Sequence, residues 1–229
     1  MAQPKTGPTG YYEDRDVAVS YDRRVTAPDS LSRARAMAQV LRHYTALTRD
    51  SLCLSVGCGT GVKEQFVPSH RLVCFDLSRE MLKLAADRVS HRVQGTVMQL
   101  PFPDDTFDCV FAIDLSTLHY SEQMANDTIR EMARVTRPGG TVLTMTTNAF
   151  SKKVIHFILH RNFHYDPYLM KNRIIRRAFR ASGLKTTRRF NIWSPRVRSL
   201  RTNAWLQKVK LDFLGSPFVC CGMKVRPRT

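Results

Sequence analysis

Three glycines at alternate positions, Gly57, Gly59 and Gly61, and the carboxylate of Asp76 carry the clearest chemistry in this chain. The glycines follow the apolar run Leu52-Cys53-Leu54-Ser55-Val56, short enough for a buried parallel strand. A strand that stops at Gly-x-Gly-x-Gly turns its backbone sharply where side chains would collide with a ligand. The spacing differs from the Gly-x-Gly-x-x-Gly dinucleotide fingerprint, so a different nucleotide-like cofactor is expected. Asp76 ends a second apolar run, Leu72-Val73-Cys74-Phe75. A carboxylate there, about 20 residues beyond the glycine turn, accepts both hydroxyls of a ribose. Taken singly, these features fit an ordinary glycine turn and a helix cap. Taken together, they describe a cofactor lying across the edge of a parallel sheet.

The elements that must position these residues follow from capping and periodicity. Residues 78–88 read as a helix, with Ser78 as N-cap, Glu80 in the first turn and Met81, Leu82, Leu84, Ala85 and Val89 as an apolar face. Residues 107–113 read as a core strand after a Pro-Asp-Asp turn, ending at the polar loop 114–120 on the same sheet edge. Residues 126–136 read as a helix stopped by Pro138-Gly139-Gly140, and 141–146 as the next strand. Further on, a helix over 173–182 ends at Gly183, followed by strands over 184–193 and 218–225. Before the first strand, a short segment from Tyr11 leads to a helix over about 30–47, its start marked by Pro28-Asp29-Ser30.

Four stretches in order make the pattern specific: Val56-Gly57-Cys58-Gly59-Thr60-Gly61, Phe75-Asp76-Leu77-Ser78-Arg79-Glu80-Met81-Leu82, Leu100-Pro101-Phe102-Pro103-Asp104-Asp105-Thr106-Phe107-Asp108, and Arg134-Val135-Thr136-Arg137-Pro138-Gly139-Gly140. Across residues 51–146 this order resembles the class I S-adenosylmethionine-dependent methyltransferases, particularly the small-molecule group with Asp-x-Ser-x-x-Met-Leu and Leu-Pro-Phe-x-Asp-x-x-Phe-Asp signatures. The resemblance implies an α/β fold. It would be a single Rossmann-like domain with a mostly parallel seven-stranded sheet flanked by helices and an antiparallel last strand. It divides the chain into an N-terminal cover segment and helix (1–48) and a methyltransferase domain (49–229), with substrate-cover insertions at 150–172 and 194–215.

The resemblance also distributes roles. Gly57, Cys58, Gly59, Thr60 and Gly61 would face the methionine part of S-adenosyl-L-methionine, and Asp76 the ribose. Leu77 would lie beside the adenine, with Thr96, Val97 and Met98 at its edge, while Asp114 and Leu115 would lie near the sulfonium. Tyr21, in a stretch similar to the family's N-terminal cover, would close over the cofactor. Two positions depart from the pattern. The family usually carries Asp or Glu where this chain has Ser55, and often Asp where it has Thr96. A hydroxyl still accepts a hydrogen bond but loses charge assistance, at a cost of about 1–2 kcal/mol, roughly tenfold in affinity per site. Weakened cofactor binding is therefore expected.

Composition bounds the rest. The 229 residues suit one domain with a sizeable core or one domain plus an appendage. No run of about 18 apolar residues marks a membrane span, and residues 1–10 lack the apolar core of a signal peptide. The cysteines at 53, 58, 74, 109, 220 and 221 lack zinc-site spacing and read as reduced, buried thiols of a cytoplasmic protein, with no metal site expected. Charge is uneven: residues 1–150 hold 17 Lys and Arg against 17 Asp and Glu, whereas 151–229 hold 19 against two, so the net charge of +17 lies wholly in the last third. That asymmetry suits an acidic partner, whether nucleic acid, an anionic membrane surface or an acidic substrate, or simply a solvated basic face. Residues 154–159 with Phe163, Tyr165 and Tyr168 would line a pocket, rest on a membrane, or pack in the core.

Methyl transfer from a sulfonium is an in-line displacement governed by positioning, and a base is needed only where the acceptor must lose a proton. His119, at the active sheet edge, is the candidate base; His156, His160 and His164 lie in the insertion and are weaker candidates. The expected activity is methylation of O, N or C of a small, anionic or lipophilic metabolite. The rivals are tRNA or RNA methylation using the basic C-terminal part, and a catalytically weak binding protein that kept the fold.

Overall fold

The computed structural model describes residues 11–45, 47–115, 117–146, 172–191 and 218–225. They form a seven-stranded sheet in the order β3-β2-β1-β4-β5-β7-β6. Its strands are β1 (Leu52–Val56), β2 (Arg71–Asp76), β3 (His91–Gln94), β4 (Phe107–Ile113), β5 (Thr136–Thr146), β6 (Leu184–Asn191) and β7 (Phe218–Lys224). The first five pair in parallel. β7 runs antiparallel between β5 and β6. This is the expected mostly parallel architecture with an antiparallel closing strand. The chain builds outward from β1 to β2 and β3, then returns to build β4 and β5 on the other side. The crevice at this reversal, over the strands' C-terminal ends, is where open α/β sheets bind ligands.

Strand periodicity of two separates the core into two layers. Leu54, Val56, Val110 and Ala112 face α5 (Glu122–Val135) and α6 (Asn172–Ala181), which contribute Ile129, Met132, Ile175 and Phe179. Cys53, Cys74, Phe111 and Ile113 face α2 (Pro28–Thr45), which contributes Met37, Val40 and Leu41, and α3 (Arg79–Leu84) with Leu82. All six cysteines are buried, reduced thiols. Burial pushes the Cys53 thiol up to about 11, so it stays protonated at neutral pH.

Several boundaries differ from the sequence reading. The cover segment before α2 contains a helix of its own, α1 (Arg15–Val25), whose N-cap Asp14 accepts from the amides of Asp16 and Val17. Helix α2 starts at Pro28, because proline suits the first helical position better than a cap, and stops at Thr45 rather than 47. Helix α3 keeps Ser78 as N-cap but ends at Leu84, and non-helical turns carry the chain on to Arg88. Helix α5 begins at Glu122, not 126, capped by the Ser121 hydroxyl accepting from Met124 N at 3.1 Å. Pro138-Gly139-Gly140 stops no helix but lies inside β5, where a register shift between Phe107 and Cys109 of β4 absorbs the irregularity. The expected insertions at 150–172 and 194–215, and the histidines at 156, 160 and 164, lie outside the described residues.

Two of the four signature stretches hold the scaffold together. Arg134 donates to both carboxylate oxygens of Glu131 (2.8 Å each), to the carbonyls of Leu100 and Phe102 (2.9 Å each), and to Asp104 Oδ1 at 2.7 Å. Asp108 accepts from Leu52 N at 2.6 Å and pairs with Arg137, joining β1, β4 and β5. Lys224 at the end of β7 pairs with Asp105 and donates to the Arg134 carbonyl at 3.1 Å.

Candidate functional site

A cavity of about 440 Å³ opens over the C-terminal ends of β1, β2 and β4. Its floor is the glycine turn. Gly57 has φ +74°, a left-handed conformation, and a Cβ there would come within 2.3 Å of Leu115 Cδ1. Only glycine satisfies both demands. Gly59 (φ +56°) presents its amide to Asp76 Oδ2 at 2.7 Å, so the turn and the carboxylate form one unit. Asp76 Oδ1 accepts from Ser78 N at 2.9 Å. Burial raises the Asp76 carboxyl above its ordinary value, and the bonds from Ser78 and Gly59 offset only part of that shift.

Of the residues expected at the cofactor, Tyr21, Gly57, Gly59, Asp76, Leu77, Thr96, Val97, Met98, Asp114 and Leu115 line this cavity. Cys58 and Thr60 line a smaller adjoining cavity of about 110 Å³, which shares Tyr21 and Asp114 with the first. Ser55 and Gly61 are buried and line neither. Thr96 is exposed at the rim, its hydroxyl accepting weakly from Met98 N at 3.4 Å. Asp114 has the positive φ of +57°, uncommon outside glycine, and its amide donates to Met145 O at 2.8 Å. The His119 side chain lies outside the described residues; its backbone belongs to α4 (Thr117–Tyr120), directly after the Asp114 loop.

Helix α1 covers the site and is tied down at two points. Asp22 takes a bidentate bond from Arg88, at 2.7 and 3.0 Å, and Arg88 also donates to the Thr60 carbonyl at 2.8 Å. The Ser78 hydroxyl donates to Tyr12 O at 2.6 Å, and Tyr12 packs edge-on against Tyr21, ring centroids 5.5 Å apart. Tyr12, Arg24 and Thr117 line the cavity and were not singled out by sequence patterning. Tyr12 and Arg24 lie in a segment without a marked motif.

Two further residues escaped the sequence reading. Glu64 is 3% exposed; its Oε1 accepts from Ser55 Oγ at 2.8 Å and its Oε2 has no hydrogen-bond partner among the described residues. Burial raises its carboxyl, with Lys63 and Ser55 opposing the shift. Lys63 donates to the Ile113 carbonyl at 3.0 Å and lies 4.0 Å from Asp114 Oδ2. Desolvation works against its charge, but Asp114 and other neighbours outweigh it and raise its pKa, keeping it protonated. The signal for Glu64 was Ser55 itself, since a hydroxyl inside a buried strand requires a partner.

A glycine cradle, a half-buried acceptor carboxylate and a strand-edge cavity at the reversal point define the class of protein: an α/β domain built around a nucleoside-bearing cofactor. Residues 54–144 match the methyltransferase domain family. Over this stretch the chain is similar to that family, and its fold is that of the class I S-adenosylmethionine-dependent methyltransferases. The chain is 30% identical over 151 residues to the demethylmenaquinone methyltransferase of Anoxybacillus flavithermus, covering 60% of this chain and 58% of that protein. It is 34% identical over 140 residues to the protein of that name from Mycobacterium tuberculosis, covering 57% of this chain and 58% of that one. The chain thus spans under two thirds of these relatives. Among solved structures, it resembles a chain from the complex of the Haloferax volcanii Trm112 methyltransferase activator and its methyltransferase, with a TM-score of 0.70 over 96% of this chain and 99% of that one. At 17% identity that likeness is one of fold.

The donor set fits S-adenosylmethionine. Asp76 retains acceptor capacity for ribose hydroxyls, Gly57 and Gly59 leave room for close backbone approach, and Glu64 Oε2 is a buried acceptor close to the turn. Among the described residues, no helix is long and apolar enough to cross a membrane and no group of side chains could hold a metal ion.

Proposed function

We propose that this protein transfers the methyl group of S-adenosylmethionine to a small, lipophilic aromatic acceptor of the quinol type. The observation that carries the reading is its 34% identity, over 140 residues, to a demethylmenaquinone methyltransferase. The apolar lining of the cavity, which includes Val25, Leu115 and Met124, suits such an acceptor. The cofactor supplies an electrophilic methyl group. Asp76 would hold the ribose, Leu77 and residues 96–98 the adenine, and the glycine turn the amino-acid end. Tyr21 and α1 would exclude water above them. His119, on α4, is the proposed base for acceptors that must lose a proton.

The basic C-terminal third remains compatible with an acidic partner, yet α6, within its described part, commits Arg177 to an ion pair with Glu122. The test is incubation with methyl-labelled S-adenosylmethionine and a panel holding a naphthoquinol, a simple phenol, a catechol and tRNA. Label transfer to the quinol, lost in H119Q, is the expected result. Transfer to tRNA alone, or cofactor binding without transfer to any aromatic acceptor, would overturn the reading.

A further inference from the structure

Ser55 lies in the middle of the sheet, paired in register with Cys74 of β2 and Phe111 of β4, and is 1% exposed. Its hydroxyl is spent on a single partner, Glu64 Oε1. Glu64 reaches this point from the short 3₁₀ turn Glu64–Phe66 that follows the glycine loop. A buried carboxylate is costly unless paired and fully hydrogen-bonded. Here the protein gives it one hydroxyl donor and leaves Oε2 without any. Lys63 offsets part of this charge through space but makes no hydrogen bond to it, since its ammonium donates to the Ile113 carbonyl and lies 4.0 Å from Asp114 Oδ2. Asp76 and the Cys58 thiol are the other ionisable groups that act on Glu64, and neither can donate a compensating charge. Thr60 Oγ1, in the same loop, is likewise buried without a partner. The back of the glycine turn therefore holds more negative charge and acceptor capacity than the fold itself consumes.

We propose that Glu64, held by Ser55 behind the glycine turn, supplies the negative charge that positions the amino-acid ammonium of S-adenosylmethionine. In this proposal the carboxylate that position 55 lacks is supplied by its hydrogen-bond partner nine residues along the chain. Glu64 is a positioning residue: it fixes the amino-acid end of the cofactor, and through it the direction of the sulfonium. This rests on the cofactor reading above.

The test uses the full chain, with binding followed by calorimetry for two ligands. One is S-adenosylhomocysteine; the other is 5′-methylthioadenosine, which keeps the nucleoside but lacks the ammonium. E64Q is expected to bind S-adenosylhomocysteine about tenfold more weakly and methylthioadenosine unchanged, as the loss of one charge-assisted contact requires. S55D/E64Q, which returns the charge to the strand, should recover most of the lost affinity. The thermal midpoint of E64Q should equal or exceed that of the parent, since an under-bonded buried charge has been removed. An equal loss for both ligands, no loss for either, or a lowered midpoint without rescue by S55D would overturn the proposal and leave the cofactor reading standing. Failure of the parent protein to bind S-adenosylhomocysteine at millimolar concentration would overturn both.

Discussion

Two clusters of charge, both carried by the signature stretches or their immediate neighbours, are built on opposite terms. Around Arg134, all five guanidinium donors find acceptors, and Glu131 also accepts from Leu100 N at 2.9 Å. Around the glycine turn, Glu64 keeps an oxygen without a hydrogen-bond partner among the described residues, and Asp76 accepts from the backbone amides of Gly59 and Ser78. The first cluster spends its hydrogen-bonding capacity internally, so it can bind nothing else and serves to hold loops and strand ends together. The second holds capacity in reserve at a stability cost, which is what a ligand site requires. A motif's presence therefore says little about whether its charges build the fold or bind the ligand. Their degree of saturation does.

The contrast has an opposite sign in pH. Pairing with Arg134 lowers the Glu131 carboxyl, so its contribution to stability is complete above the ordinary carboxylate range and is lost as pH falls through the lowered value. Burial raises Asp76 and Glu64, so the folded state binds more protons there than the unfolded one. Their cost appears as pH rises from the ordinary value through the raised one.

The largest effect that would break the comparison is at Arg134. R134M leaves Glu131 facing a half-buried site unpaired and should cost about 2–4 kcal/mol of stability. Denaturant unfolding would show the loss, while affinity for S-adenosylhomocysteine, measured well below the unfolding transition, should stay within about twofold. Loss of affinity without loss of stability would assign Arg134 to the site instead. Next in size is D76N, expected to weaken S-adenosylhomocysteine by roughly 10–100-fold through two lost charge-assisted bonds. Its thermal midpoint relative to the parent should rise as pH climbs from the ordinary carboxylate value through the raised one, because the parent alone takes on the buried charge. A midpoint that falls over this range would reverse the assignment. The smallest is T96D at the cavity rim, which should tighten S-adenosylhomocysteine by about threefold. The rim is exposed and solvent screens the gain. A weaker complex would place the adenine edge elsewhere.

Strands β1, β2, β4 and β5 and the glycine turn were legible because buried parallel strands read as apolar runs and the turn demands glycine; β3, mostly exposed, offers no such run. Helix α1 was not, because its sequence, Val17-Ala18-Val19 among polar residues, lacks helical periodicity; an Asp14 cap and the Asp22–Arg88 bond make it a helix here. The Pro-Gly-Gly run misled in the other direction, since a bulge lets β5 pass through it. Ten of the fourteen residues expected at the cofactor line the large cavity. Ser55 was read as a missing carboxylate, and only the three-dimensional contact shows where a carboxylate stands instead. A pairing across the glycine loop leaves no periodic trace in sequence.

The bond from the Gly59 amide to Asp76 turns one backbone group into a spectroscopic reporter. A carboxylate drawing on that proton shifts its resonance downfield, and protonation of the acid or a ribose competing for the same oxygen changes the shift. The titration of Asp76 and the arrival of a nucleoside can thus be followed at a single glycine signal, in the untouched protein, before any reaction is assayed.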